Sequence, residues 1–90
     1  MQNTENGLET FVMDMKVTLY RHQKEKGDSW ADCDLQFLLD KFEEEIKEFK
    51  DEVKPSKKAK ELVDVANICM MLYHRYINIW AEQASKIMKS

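Results

Sequence analysis

The sequence predicts an all-α fold, an antiparallel helical bundle. Turn formers are nearly absent, with two glycines and one proline in 90 residues. Glu, Lys, Leu and Met, all good helix formers, are abundant. Apolar residues recur at three- and four-residue intervals along most of the chain, the period of a helix and not of a strand. The length is that of one domain, 1–90. A chain this short buries only a modest core by itself.

Leu8, Phe11, Val12, Met15 and Leu19 mark the first helix, spaced to share one face. Lys24 and Lys26 suit its last turn, where cations meet the negative end of the helix dipole, and Gly27 is a natural stop. The segment "KGDSWADCD" is the first break. Ser29 with Asp32, or Asp32 or Asp34 alone, can cap the helix that follows. That second helix carries Leu35, Leu38, Leu39, Phe42, Ile46, Phe49 and Val53. Pro55 ends it or opens the next, because proline lacks the amide hydrogen that a helix interior requires. A third helix of about 30 residues then runs from near Ser56 toward the C-terminus, with Asn78 as a place for a break.

The third helix is unusually apolar. Leu62, Ala66, Cys69, Tyr73, Tyr76 and Trp80 form one stripe, and Val65, Ile68, Leu72 and Ile79 widen it. A helix apolar nearly all round is buried nearly all round, and two partner helices hardly suffice. The expectation is self-association, as a homodimer or a dimer-of-dimers tetramer, completing a four-helix or larger bundle.

A net charge of −3 argues against nucleic-acid binding, which demands a basic face. Cys33 and Cys69 are too few for a disulfide framework and fit a reducing cytoplasm. The opening "MQNTENGLET" lacks the basic-then-apolar order of a secretion signal. No apolar run reaches the roughly 18 residues that a membrane span needs. The expected setting is soluble and cytoplasmic.

Inside the apolar stretch "ELVDVANICMMLY", Glu61, Asp64 and Asn67 recur every three residues, on neighbouring positions of one helix face. The second helix offers "FEEEIKEF", where Glu45 falls at the edge of the apolar stripe and Glu48 follows one turn later. A turn at Pro55 makes the two helices antiparallel neighbours, so 45–48 can face 61–64. Four carboxylates in a half-buried groove repel one another and cannot all stay ionised unaided. A divalent cation relieves that repulsion. Oxygen-only donors suit Mg²⁺, with Mn²⁺ as a substitute. Zinc would prefer His or Cys, and a di-iron bundle needs Glu-x-x-His twice; His22 and His74 supply neither pattern. Mg²⁺ held by carboxylates usually also takes substrate phosphates, which points to a polyphosphate ligand.

"FEEEIKEF" followed by "ELVDVAN" resembles the paired Glu-Glu-x-x-Glu and Glu-x-x-Asp motif of the MazG family of all-α nucleoside triphosphate pyrophosphohydrolases. The upstream "KGDSW" is similar to small phage and prokaryotic MazG-like proteins. The likeness covers roughly residues 10–75, most of the chain, and the segment after Tyr76 is poorly matched. The resemblance implies a MazG-type helical oligomer that uses Mg²⁺ to hydrolyse a (deoxy)nucleoside triphosphate to the monophosphate and pyrophosphate, in nucleotide-pool housekeeping. By position, Glu45, Glu48, Glu61 and Asp64 match the family's metal ligands. Glu44 matches the first acid of the motif, behind the ligands or as the base that activates water, a role also open to Glu45. Trp30 matches an aromatic position that packs near the base. Asn67, one turn after Asp64, is placed to hydrogen-bond the nucleotide, and Lys26 is a candidate phosphate contact.

Lys54, Lys57, Lys58 and Lys60 gather around Pro55 and read as a solvated basic turn, from which one lysine can reach a phosphate tail. Met70 and Met71 read as core or subunit interface, Cys33 and Cys69 as packing residues, and His22 and His74 as surface or interface residues with no assigned role. Two other functions fit the same pattern: a non-catalytic dimerisation or regulatory module, and a nucleotide-binding sensor without turnover.

Overall fold

The computed structural model describes residues 2–89, and of residues 25, 26 and 89 only the backbone. The chain is all-helical. It consists of α1 (Gln2–Lys26), a 3₁₀ turn (Ser29–Ala31), α2 (Leu35–Asp51) and α3 (Pro55–Lys89).

Each boundary has a local cause. Gly27 takes φ 61°, a left-handed conformation that other residues rarely adopt, and its amide donates to the Gln23 carbonyl at 2.9 Å. That closes α1. Of the caps open to α2, the chain uses Asp34, whose carboxylate accepts from the Gln36 amide at 3.2 Å. Ser29 belongs to the 3₁₀ turn, and the Asp32 amide donates to its carbonyl.

α2 stops at Asp51, so Val53, expected on its stripe, lies beyond the helix and is 84 % exposed. Glu52 is extended at ψ 140°, three residues before Pro55. The Glu52 carboxylate accepts from the Val53 and Lys54 amides. On the other side of the turn, the Lys58 ammonium donates to the Phe49 carbonyl at 2.7 Å and lies 4.4 Å from the Phe49 ring centre. One lysine of the basic turn thus closes the end of α2, where a cation is favoured. Pro55 opens α3, at the position where a missing amide hydrogen costs nothing. α3 then runs unbroken through Asn78 to Lys89.

α2 and α3 form an antiparallel helical hairpin. α1 runs parallel to α3: residues 6–14 lie beside 59–63, and residues 19–23 reach 68–71. The Asn67 side-chain amide joins the two helices by donating to the Met15 carbonyl at 3.4 Å. A helix of 35 residues spans about 52 Å, close to the 53 Å length of the molecule, so α3 sets the long axis.

Among the described residues the buried set is Leu38, Val63 and Leu72, together with Glu45 and Asn67. The aromatic stripe of α3 is therefore not the inward face. Leu62, Cys69, Tyr73, Tyr76 and Trp80 are exposed, and Val63, Asn67 and Leu72 turn inward in their place. Neighbouring residues differ by about 100° around a helix, so the chain's own core takes the adjacent face. The strongest apolar stripe is left uncovered by this chain.

Candidate metal centre

Glu45 is the acid of α2 that points into the hairpin, and it is 8 % exposed. The antiparallel pairing sets the first turns of α3 beside it. One carboxylate oxygen from each of Glu45, Glu61 and Asp64 lies within 4.8 Å of the others. Glu48 is exposed and stands at their edge, its charge among the causes that raise Glu45 and Glu61. Three of the four expected ligands thus converge, and the fourth flanks them. Glu43 and Glu44 face outward, with Glu44 held 3.8 Å from the Lys41 ammonium.

The group is electrostatically uneasy. Glu45 Oε1 faces Lys41 Nζ at 3.7 Å. Glu45 Oε2, Glu61 Oε2 and Asn67 Oδ1 are buried without a hydrogen-bond partner, and each such orphan costs roughly 1–3 kcal/mol. Burial, reinforced by the charges of Glu48 and Asp64, pushes the Glu45 carboxyl up to about 7 against the pull of Lys41. Burial and the charges of Glu48 and Asp64 raise Glu61. Burial raises Asp64 as well, opposed by His22 and Lys41 and assisted by Glu48. Each acid gains from a proton or a cation. Hard carboxylate donors with two orphaned oxygens among them fit Mg²⁺ or Mn²⁺, which would both neutralise and ligate them.

Two clefts lie nearby: Asp64 lines the second of them, and none of the three acids lines the first. One is a cavity of about 360 Å³ walled mainly by Trp30, Phe37, Leu38, Ile68, Met70 and Met71, with Lys41 and His22 at its edge. Trp30 is held in place by its neighbours. Its ring meets the His74 ring edge-on at 6.0 Å, and its carbonyl accepts from Arg75 Nη1 at 3.0 Å and from the Cys33 thiol at 3.7 Å. The other cleft, about 460 Å³, opens between α1 and α3 and is lined by Asp14, Arg21, His22, Lys60 and Asp64 among others. His22 borders both clefts.

Met70 and Met71, read from the sequence as core or interface, are cavity wall. Asn67, expected to hydrogen-bond a nucleotide, commits its NH₂ group to α1, has Oδ1 buried without a partner and lines neither cleft. The side chain of Lys26 lies outside the described residues. Lys41 and Arg21 border the site without having been singled out by the sequence, as does His22, read there as a surface or interface residue with no role. Lys41 did carry a signal, its place four residues before Glu45 on one helix face. Arg21 and His22 carried none, because their part in the clefts follows from how α1 lies on α3. No protein-family model, curated protein or solved structure matches the chain. Among the described residues, no helix is long and apolar enough to cross a membrane.

The raised carboxyls set the sign of a pH dependence. The Glu45 carboxyl titrates near 7 in the folded chain, against 4.5 without the fold. Such a group contributes stability that is fully present below the unfolded value and lost as pH rises through the folded one. Glu61 and Asp64 shift in the same direction, with Glu48, Lys41 and His22 as the facing charges. In chelator, the protein should therefore melt at a higher temperature near pH 5 than near pH 8, and Glu45→Gln should flatten the difference. Thermal melts that rise steadily over this range, with wild type and Glu45→Gln alike, would contradict this electrostatic picture.

Proposed function

We propose that this chain is a divalent-metal-dependent nucleoside triphosphate pyrophosphohydrolase of the MazG type, acting in the cytoplasm as a homodimer or dimer of dimers. The observation that carries the reading is the convergence of Glu45, Glu61 and Asp64, two of them with orphaned buried oxygens; Asp64 also lines a cleft bearing basic side chains, and Lys41, paired with Glu45, lines an aromatic-lined cavity. The paired motif supports it, since the same acids occupy its ligand positions.

In this proposal Glu45, Glu61 and Asp64 hold Mg²⁺, and Glu48 joins them from the edge. When bound, the ion supplies Lewis acidity toward phosphate oxygens and charge neutralisation. The apolar cavity takes the nucleoside, with Trp30 offering its ring to the base. Arg21 and Lys60 attract the outer phosphates in the second cleft. Hydrolysis adds one water: its oxygen bonds to phosphorus, the bridging phosphoanhydride bond breaks, and the leaving side departs as pyrophosphate. A carboxylate takes the water's proton. Glu45 is engaged as a ligand, so that duty falls to Glu44, the other acid paired with Lys41.

Association follows from the uncovered stripe of Tyr73, Tyr76 and Trp80 on α3. A second copy of α3 is the simplest cover for it.

Two predictions test the reading. Asp64→Asn should abolish Mg²⁺-dependent pyrophosphate release across a panel of ribo- and deoxynucleoside triphosphates while the helical circular dichroism persists. Glu45→Gln and Glu48→Gln should weaken Mg²⁺ binding, Glu44→Gln should lower the rate at saturating metal, and Glu43→Gln should change little. Retained activity in Asp64→Asn, or damage from Glu43→Gln equal to that from Glu45→Gln, would remove the assignment. The second concerns assembly. Sedimentation should give a dimer or tetramer, and Trp80→Glu should shift it toward monomer; a wild-type monomer of 10.7 kDa at micromolar concentration would refute association.

A further inference from the structure

We infer that Lys41 is the resident counter-ion of the carboxylate group, displaced by the divalent cation and turned toward a ligand in the aromatic-lined cavity; this rests on the metal-dependent reading above. Lys41 stands one turn before Glu45 on α2, its ammonium 3.7 Å from Glu45 Oε1 and 3.8 Å from Glu44 Oε1. Surface pairs of this spacing are worth little. This one is asymmetric: the Glu45 side chain is 11 % exposed and the lysine side chain 39 %. The ammonium therefore meets a carboxylate that water barely reaches. Its charge also bears on Asp64 across the hairpin, where His22 of α1 is the other attractive neighbour.

The same lysine lines the cavity that holds Trp30, Phe37 and Met71. It stands between the carboxylate group and that cavity. A cation held by Glu45, Glu61 and Asp64 would lie near the ammonium, and like charges at such range repel. The lysine stem is flexible, and the cavity wall it already lines gives it somewhere to go. There the ammonium meets the part of a nucleotide that joins the nucleoside to its phosphates, which is the phosphate nearest the sugar. Lys41 thus opposes metal in the ligand-free site and holds the nucleotide once metal has entered. By linkage, metal and nucleotide strengthen each other's binding by the same factor.

The test separates charge from bulk. Lys41→Met keeps the apolar stem and removes the charge, whereas Lys41→Arg keeps the charge. In calorimetric titrations with Mn²⁺ at about pH 8.5, above the range where Glu45 titrates, Lys41→Met should bind about fivefold more tightly than wild type. Lys41→Arg should bind like wild type. In saturating Mn²⁺, each of the four deoxynucleoside 5′-monophosphates that binds wild type should bind Lys41→Met about tenfold more weakly, through loss of a charge-assisted hydrogen bond. Equal or weaker Mn²⁺ affinity in Lys41→Met overturns the counter-ion role. Equal monophosphate affinity, or no monophosphate binding to wild type, overturns the redirected contact. Failure of wild type to take up Mn²⁺ overturns the metal-dependent reading as well, whereas normal Mn²⁺ uptake with an indifferent Lys41→Met overturns this inference alone.

Discussion

Glu45 is packed between α2 and α3 as closely as Val63 and Leu72, at 8 % exposure against 8 % and 9 %, and the rest of the structure has to accommodate that burial of charge. A well-packed apolar side chain at this place would be the safer choice for stability. Instead the hairpin sets Glu45 opposite Glu61 and Asp64, and the burial that raises one carboxyl raises all three. Lys41 answers part of that charge. The orphaned oxygens of Glu45 and Glu61 show how much is left unanswered. Local conflicts of this kind gather at functional sites.

The helical hairpin owes its register to a short turn held from both sides. The Glu52 carboxylate ties down the Val53 and Lys54 amides, and Lys58 closes the last carbonyls of α2 through Phe49. That register decides which turn of α3 meets Glu45. α1 contributes differently, lying along α3 with Asn67 as its polar tie and leaving a cleft on each side of His22. The result is two compartments of different character that share His22, the second of them reached by the acidic group through Asp64. An apolar, aromatic-walled space lies toward the 3₁₀ turn, and a charged groove lies between α1 and α3. A ligand with a flat apolar end and an anionic end matches that division.

Much of the architecture was legible in the sequence because helical periodicity is a local signal. The stop at Gly27 and the start of α3 at Pro55 follow from backbone chemistry alone, and the three-residue spacing of Glu61 and Asp64 placed them on one face before any packing was known. What was not legible depends on neighbours. Ser29, Asp32 and Asp34 are equally good caps by type, and only backbone geometry chose Asp34. The aromatic stripe of α3 was expected to be covered, and this chain leaves it exposed, because hydrophobicity says that a stripe is covered and not by which chain. Val53 kept the stripe's spacing after the helix had already ended. Met70 and Met71 turned from core into cavity wall, a distinction of shape that no spacing encodes.

The account stands or falls on whether the acids of the hairpin hold a cation. Diffraction from crystals grown with Mn²⁺, collected at a wavelength where manganese scatters anomalously, locates the ion without reference to activity. The account predicts an anomalous peak within coordination distance of Glu45, Glu61 and Asp64, with Lys41 Nζ withdrawn from Glu45. Crystals that show no peak there, or a peak elsewhere with the three carboxylates still clustered and Lys41 still paired to Glu45, would contradict it.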